Sequence, residues 1–458
     1  MRGRWLTSRL RLRLRLRLRL RRRTVWWPTL LLPGLCALVT LPGATAAAAG
    51  DTPYAFAPGA SVVVGGQAPA DAGRLAAGRV YRSSLPGDGT LYYRLRLAAA
   101  DTAYVPVTAV PPANATVTST DGISVTVQDA RGTRCSYADA RFGAGLSPRP
   151  VTALGQREPG HSVCQGGGTY YVTVQRLTTG GVSSAGPWDL ELAPATEPRP
   201  AHAGATTAPE TWDSATPEPL GGAPVERSGG TGFASARPLG QGVWRTELTP
   251  GETRFYKVPL DWGRQLHASA ELGGSTGHGY VGGALELSLH NPVRGYVEDT
   301  ALGYTGTGKS AVLAPVPPVE YANRYAVPAA VTSVRFAGDY YLVLHLSERL
   351  TGTFGQGPFP VTLRVRVTGQ AHAGPEYAGR PVPADVFTVT DQDRAAALAG
   401  GGTGAAGAEG TGGAGDPVMK LVAGGGIGLG TLLLLGLGAW TLAARRPQTR
   451  ARAQKPTA

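Results

Sequence analysis

Residues 303–310 read GYTGTGKS and satisfy the pattern G-x-x-x-x-G-K-[ST] letter for letter. That pattern cradles nucleotide phosphates when an apolar strand delivers the loop and a helix follows, aiming its first backbone amides at the anion. Neither support is expected here. Residues 294–302 include Glu298 and Asp299 and offer no apolar strand, and Pro315, Pro317 and Pro318 arrive too soon after Ser310 for a useful helix. Lys309 is therefore expected to be a solvated loop residue, with no nucleotide bound. Acyl-transfer chemistry would need a nucleophile with a histidine in support. Seven histidines are scattered through the chain, among them His161, His267, His278, His290 and His345, with none of the spacings H-E-x-x-H, S-x-x-K or C-x-x-C, and no EF-hand loop is present. No catalytic residue, cofactor site or metal-ligand set can be named, and a non-enzyme is expected.

Two residue types remain. Cys36 lies in an apolar leader behind Leu35, where a lipid-attachment signal wants a small residue, which leaves Cys135 and Cys164 as an isolated pair. In an exported chain a disulfide is the economical reading; two buried thiols, or half a metal site with His161, are the alternatives. Aromatics come in adjacent pairs: Tyr92 with Tyr93, Tyr170 with Tyr171, Phe255 with Tyr256, Tyr340 with Tyr341. A strand turns alternate side chains to opposite faces, so one member of each pair must leave the core. Tyr81, Tyr92, Trp244 and Phe255 are the candidates for an exposed contact surface for protein or carbohydrate, packing on a neighbouring strand or loop being the alternative.

The elements that must position these residues are written twice. Residues 80–97 read VYRSSLPGDGTLYYRLRL and residues 243–260 read VWRTELTPGETRFYKVPL, in register without a gap from Tyr81 and Trp244 onward. A β-hairpin duplicated with its whole domain is expected. Further period-2 runs follow in each copy, at 123–127, 168–174 and 186–192 and again at 285–289, 338–344 and 357–363, each bounded by Gly, Pro or Asn. Such punctuation argues antiparallel strands in a sandwich, with no sustained helical period in either copy.

The Pro86-Gly87-Asp88 and Pro250-Gly251-Glu252 turns, the aromatic strands that follow them, and the later runs from Gly168 and Gly338 resemble the bacterial pre-peptidase C-terminal domain. That resemblance covers most of residues 65–193 and 229–367. It implies a jelly-roll-like β-sandwich that usually serves as a non-catalytic appendage of a secreted peptidase. No protease domain precedes either copy here.

The ends supply the address. Residues 1–23 hold eleven Arg and no acid, residues 25–41 are apolar, and Ala44-Thr45-Ala46 forms a cleavage pattern, so 1–46 reads as a signal peptide cut after Ala46. Arg22-Arg23 leaves general and twin-arginine export both open. Residues 421–444 carry no charge and are long enough to span a membrane, with the basic tail 445–458 staying cytoplasmic. The net charge of +13 is topogenic: between these ends 28 basic residues face 31 acidic ones, which excludes a nucleic-acid surface. Forty Arg against four Lys, with the Ala and Gly load, resembles the GC-rich coding of actinobacteria.

The expected organisation is all-β: signal peptide 1–46, N-terminal segment 47–64, first sandwich 65–193, Pro/Ala/Thr-rich linker 194–228, second sandwich 229–370, extended tail 371–394, Gly/Ala-rich stalk 395–416 and a transmembrane helix 421–444. The expected function is a non-catalytic, single-pass surface protein that binds or scaffolds an envelope protein or cell-wall glycan. The alternative is an accessory subunit docking to an envelope peptidase or secretion system.

Overall fold

The computed structural model describes residues 54–160, 162–178 and 181–399. The signal segment with Ala46 and Cys36, His161, residues 400–416 of the stalk, the apolar span 421–444 and the tail lie outside the described residues. No helix among the described residues is long and apolar enough to cross a membrane.

The first sandwich opens with β1 (Ser61–Val62), β2 (Gly73–Leu75), β3 (Tyr81–Leu85) and β4 (Thr90–Leu97). It continues with β5 (Thr102–Val110), β6 (Gly122–Asp129), β7 (Arg134–Arg141) and β8 (Val151–Arg157), and ends with β9 (Gly168–Leu177), β10 (Trp188–Leu192) and β11 (Ala195–Glu197). Sheet 1 runs β1-β3-β10-β5-β11 with β8 on the free edge of β5, and sheet 2 runs β2-β4-β9-β6-β7.

The second sandwich repeats this strand for strand. Its first half is β12 (Val225–Glu226), β13 (Arg237–Pro238), β14 (Gly242–Leu248), β15 (Thr253–Leu260) and β16 (Gln265–Leu272). Its second half is β17 (Val281–His290), β18 (Tyr296–Tyr304), β19 (Lys309–Val312), β20 (Gly338–Leu346) and β21 (Phe359–Thr368). Sheet 3 is β12-β14-β21-β16-β19 and sheet 4 is β13-β15-β20-β17-β18, so each strand from β1 to β10 has its counterpart eleven strands later. The duplication extends to the whole topology.

The organising stretch differs from expectation in one respect. It is no hairpin: β3 lies in sheet 1 and β4 in sheet 2, and the turn carries the chain across the core, as does its counterpart between β14 and β15. Tyr93 Oη reaches over to donate to Ser83 Oγ at 2.8 Å. Alternation cannot tell the two arrangements apart, because strands that face each other across a core bury every second residue just as paired strands do. Both turn glycines are required, for different reasons. Gly251 has φ +87°, a region that penalises a Cβ, whereas a Cβ on Gly87 would collide with the Ala185 carbonyl.

Each sheet also carries one short parallel edge strand, β1, β2, β12 or β13, where purely antiparallel pairing was expected. Residues 294–302, expected to offer no apolar strand, lie largely in β18, which leans on β17 through Leu302 and Tyr304, with Asp299 opposite Ser288 on the outer face and the half-buried Glu298 opposite Leu289. Its formal phosphate-loop motif then runs into β19, a second strand, so no helix N-terminus points at Lys309, which is exposed. Lys309→Ala is expected to leave thermal stability within about 0.5 kcal/mol of wild type, read by urea melts, and a larger loss would give Lys309 an unrecognised structural role.

The linker and tail are tied to the sandwiches at several points. Ala195–Glu197 forms β11 on β5, residues 216–220 lie over β16 and β21, and the tail returns to pair Val382 with Thr196 and Tyr377 with Pro200. The chain then forms a helix, Asp391–Ala399, where tail and stalk were expected. Arg394 on it holds Asp261 at 2.8 Å. Thr390 accepts from the Asp393 amide and donates to its carboxylate, closing the helix start.

Candidate functional site between the sandwiches

The run LELSLH at 285–290 puts Leu285, Leu287 and Leu289 into the core and turns Glu286, Ser288 and His290 outward. On β20 the same alternation turns out Tyr341, Val343 and His345. Strand register sets Glu286 opposite His345, Ser288 opposite Val343 and His290 opposite Tyr341. β15 adds Thr253, Phe255 and Lys257 beside them, and β18 adds Asp299 and Tyr296.

This outer face of sheet 4 is covered. Tyr54 from the N-terminal segment, Val110 from the first sandwich, and Phe233, Phe255 and Val343 from the second form one buried apolar cluster. Beside it lies a cleft of about 240 Å³ whose far wall is Asp139, Arg141, Arg149 and Thr152 of the first sandwich. A second cluster, Tyr104, Ala195, Val293, Phe336 and Phe387, extends the contact.

Four ion pairs join the two bodies. Arg294 meets Glu191 at 2.5 Å, Arg324 meets Glu197 at 2.9 Å, Arg335 meets Glu158 at 2.6 Å and Arg149 meets Glu286 at 2.8 Å. Glu191 and Glu197 are almost wholly enclosed, and each has further donors: Tyr54 Oη and the Ala57 amide for Glu191, Tyr104 Oη and Tyr377 Oη for Glu197. Buried carboxylates with this many partners are held in one geometry.

The chemistry of the cleft follows from these contacts. Burial lifts the Glu286 carboxyl above its ordinary range against the pull of Arg149, and burial lowers His345, which bridges Ser147 Oγ at 3.0 Å and Thr253 Oγ1 at 2.9 Å. Ser288 Oγ lies 3.3 Å from His290 Nε2, but the other ring nitrogen of His290 faces the Arg294 carbonyl, where a nucleophilic triad would place a carboxylate. Asp139 is held by Arg141 and Asp299 by the Tyr296 hydroxyl. Among the described residues no group of three or more His, Cys, Asp or Glu could hold a metal ion.

His290 carries a measurable consequence. Burial brings it down to about 4 from 6.5, so between those values the unfolded chain binds the proton and the folded one does not. Stability is then full above pH 6.5 and falls as pH drops toward 4, by about 3 kcal/mol from this residue. Urea melts across that range should show the loss, and His290→Gln should flatten it; an unchanged slope in the variant would clear His290 of the effect.

The aromatic residues expected on the surface divide. Tyr92 is half-buried on the outer face of sheet 2, whereas Tyr81, Trp244 and Phe255 are buried, at 8%, 2% and 1% exposure. Tyr81 and Trp244 point into their cores, since strand phase places them inward, and Phe255 points outward but is covered by Tyr54 and Phe233. Cys135 and Cys164 are bonded, with Cα atoms 5.7 Å apart. What sequence reasoning missed is the interface itself. Its signals were the outward-phased Glu191 and Glu286, and Tyr54 and Phe56 in an otherwise Ala- and Pro-rich segment.

No family model matches the chain, and no curated protein matches it. Solved structures with some likeness include the CUB1-EGF-CUB2 domain of human MASP-1/3, at 10% identity over 63% of this chain and 99% of that one, TM-score 0.17. They include the tandem CBM22 domains of Paenibacillus barcinonensis Xyn10C, at 14% identity over 65% and 93%, TM-score 0.18. A third is a chain in the crystal structure of plant peptide RALF23 in complex with FER and LLG2, at 9% identity over 70% and 99%, TM-score 0.20. Superposition this loose carries no argument about function.

Proposed function

We propose that this chain is a non-catalytic binding or scaffolding module at the cell surface, exported through its N-terminal segment and anchored by residues 421–444 with the sandwiches outside. The observation that carries the reading is the interface. Four Arg–Glu pairs and two apolar clusters weld the sandwiches into one body, as suits a spacer or platform that presents a fixed surface. The titratable groups of the cleft are engaged by protein partners, Glu286 and His345 across the interface and Asp139, Asp299 and His290 within their own sandwich, which leaves them poorly placed for turnover. The resemblance of the repeated signposts to pre-peptidase C-terminal domains supports the same class.

The test is made on intact, wall-permeable cells. Added protease should remove the sandwiches and leave a small membrane-held fragment ending at Ala458, and wall material prepared from the same cells should retain the released ectodomain. Sandwiches protected in permeable cells, or an ectodomain that the wall never retains, would count against the reading.

A further inference from the structure

The duplication presents one face twice, covered in one copy and open in the other except at the Asp139 and Arg141 end of β7, which walls the cleft. On sheet 4 the covered face carries Phe255, Val343 and Ser288 in one row and Lys257, Tyr341 and His290 in the next. The corresponding rows of sheet 2 are Tyr92, Thr173, Thr126 and Tyr137, then Arg74, Arg94, Tyr171, Gln128 and Arg134. Wherever the covered copy has an apolar group the open copy has a polar or hydroxylated one: Tyr92 for Phe255, Thr173 for Val343. A face meant for the same kind of docking would have kept the apolar residues, because burial of polar groups without partners is costly.

We propose that the outer face of sheet 2 binds an acidic polysaccharide, a glycan bearing carboxylate or phosphate groups. Arg74, Arg94 and Arg134 stand in these two rows and Arg96 in the next, and none of the four has a carboxylate within ion-pair distance among the described residues. The rows themselves hold no acid. Tyr137 is half-exposed at 51%, and the Arg134 guanidinium lies 5.8 Å from its ring centroid. Tyr92, Thr126, Gln128, Arg134 and Thr173 line a surface depression. Within it Thr173 Oγ1, and beside it Arg94 Nε, have no hydrogen-bond partner among the described residues, a need that a ligand's hydroxyl or acid oxygens would answer. Tyrosine rings match the C–H faces of sugar rings, hydroxyl and amide groups match their hydroxyl edges, and unpaired guanidinium groups match their acids. An extended peptide finds less here, since strand addition needs a free sheet edge and this is a face. Five strands at about 4.8 Å spacing give a platform about 19 Å across, enough for a run of sugars.

The proposal rests on the binding-module reading, and the test separates the two. The full chain in mild detergent is titrated with polyglucuronate, with neutral dextran, polyglutamate and single-stranded DNA alongside. Saturable binding to polyglucuronate above the other three is expected. Arg94→Gln with Arg134→Gln should weaken it by about tenfold or more and lessen its salt dependence. Tyr137→Ala should weaken it several-fold at unchanged salt dependence, and Arg134→Gln or Tyr137→Ala alone, both at exposed positions, should melt as wild type. Binding that survives these substitutions, or that polyglutamate or DNA matches, overturns the proposal. So does the absence of polyglucuronate binding, and in that case retention of the ectodomain by wall material would still uphold the broader reading.

Discussion

Glu191→Ala is expected to cost about 3–5 kcal/mol, the range found when one member of a buried ion pair is removed. The carboxylate is fully enclosed and receives Arg294, Tyr54 Oη and the Ala57 amide. Alanine would leave the Arg294 guanidinium, stacked 4.8 Å over the Phe233 ring, with its charge buried and unanswered. Because Glu191 belongs to β10 and Arg294 to the turn before β18, the loss falls on the contact between sandwiches. Wild type should therefore unfold in one transition and the variant in two. Combining Glu191→Leu with Arg294→Met should recover much of the loss, since a buried pair replaced whole by apolar groups is often neutral. A single wild-type-like transition in Glu191→Ala would mean that the apolar clusters hold the interface without it.

Removing the disulfide is the second large change. Cys135 and Cys164 are 29 residues apart, and closing a loop of that length stabilises by about 3–4 kcal/mol on the chain-entropy view. The bond ties the start of β7 to the loop before β9. That loop is also gathered by the fully buried Arg157, whose guanidinium donates to the carbonyls of Cys164, Gln165 and Gly166 on one side and of Ala99 and Asp101 on the other. Cys135→Ser with Cys164→Ser should lower the melting midpoint of the whole two-sandwich body, since β7 and β8 form one wall of the interface. Read without the tertiary structure, the same substitution would be expected to spare the second sandwich. Two separate transitions in calorimetry, with only one displaced, would show that the sandwiches melt independently.

Some of this was legible because it is local or repeated. Period 2 at 285–290 and 338–344 follows from the pleat of a strand with one face in a core, and two in-register copies of the 80–97 stretch require one architecture built twice. The disulfide was legible because two isolated cysteines in one copy have few other uses. That no helix follows the phosphate-loop letters was legible from the prolines downstream, and β19 stands in its place.

Other features could not be read, because they depend on which surfaces meet. Alternation shows that Phe255 and Tyr92 face away from their cores, and says nothing of whether water or another sandwich lies beyond. The same Pro-Gly turn serves a hairpin or a crossing between sheets, since both bury alternate residues. Tyr54, Glu191 and Arg294 are distant in sequence, as are Glu197 and Arg324, and each set meets only when the duplicated bodies pack. By itself, then, the sequence determined two β-sandwiches of one topology, the disulfide within the first and the alternating faces of both. The tertiary structure alone decided that one copy's outer face is sealed by the N-terminal segment and its neighbour while the other's stays open, because burial depends on what a surface meets in space.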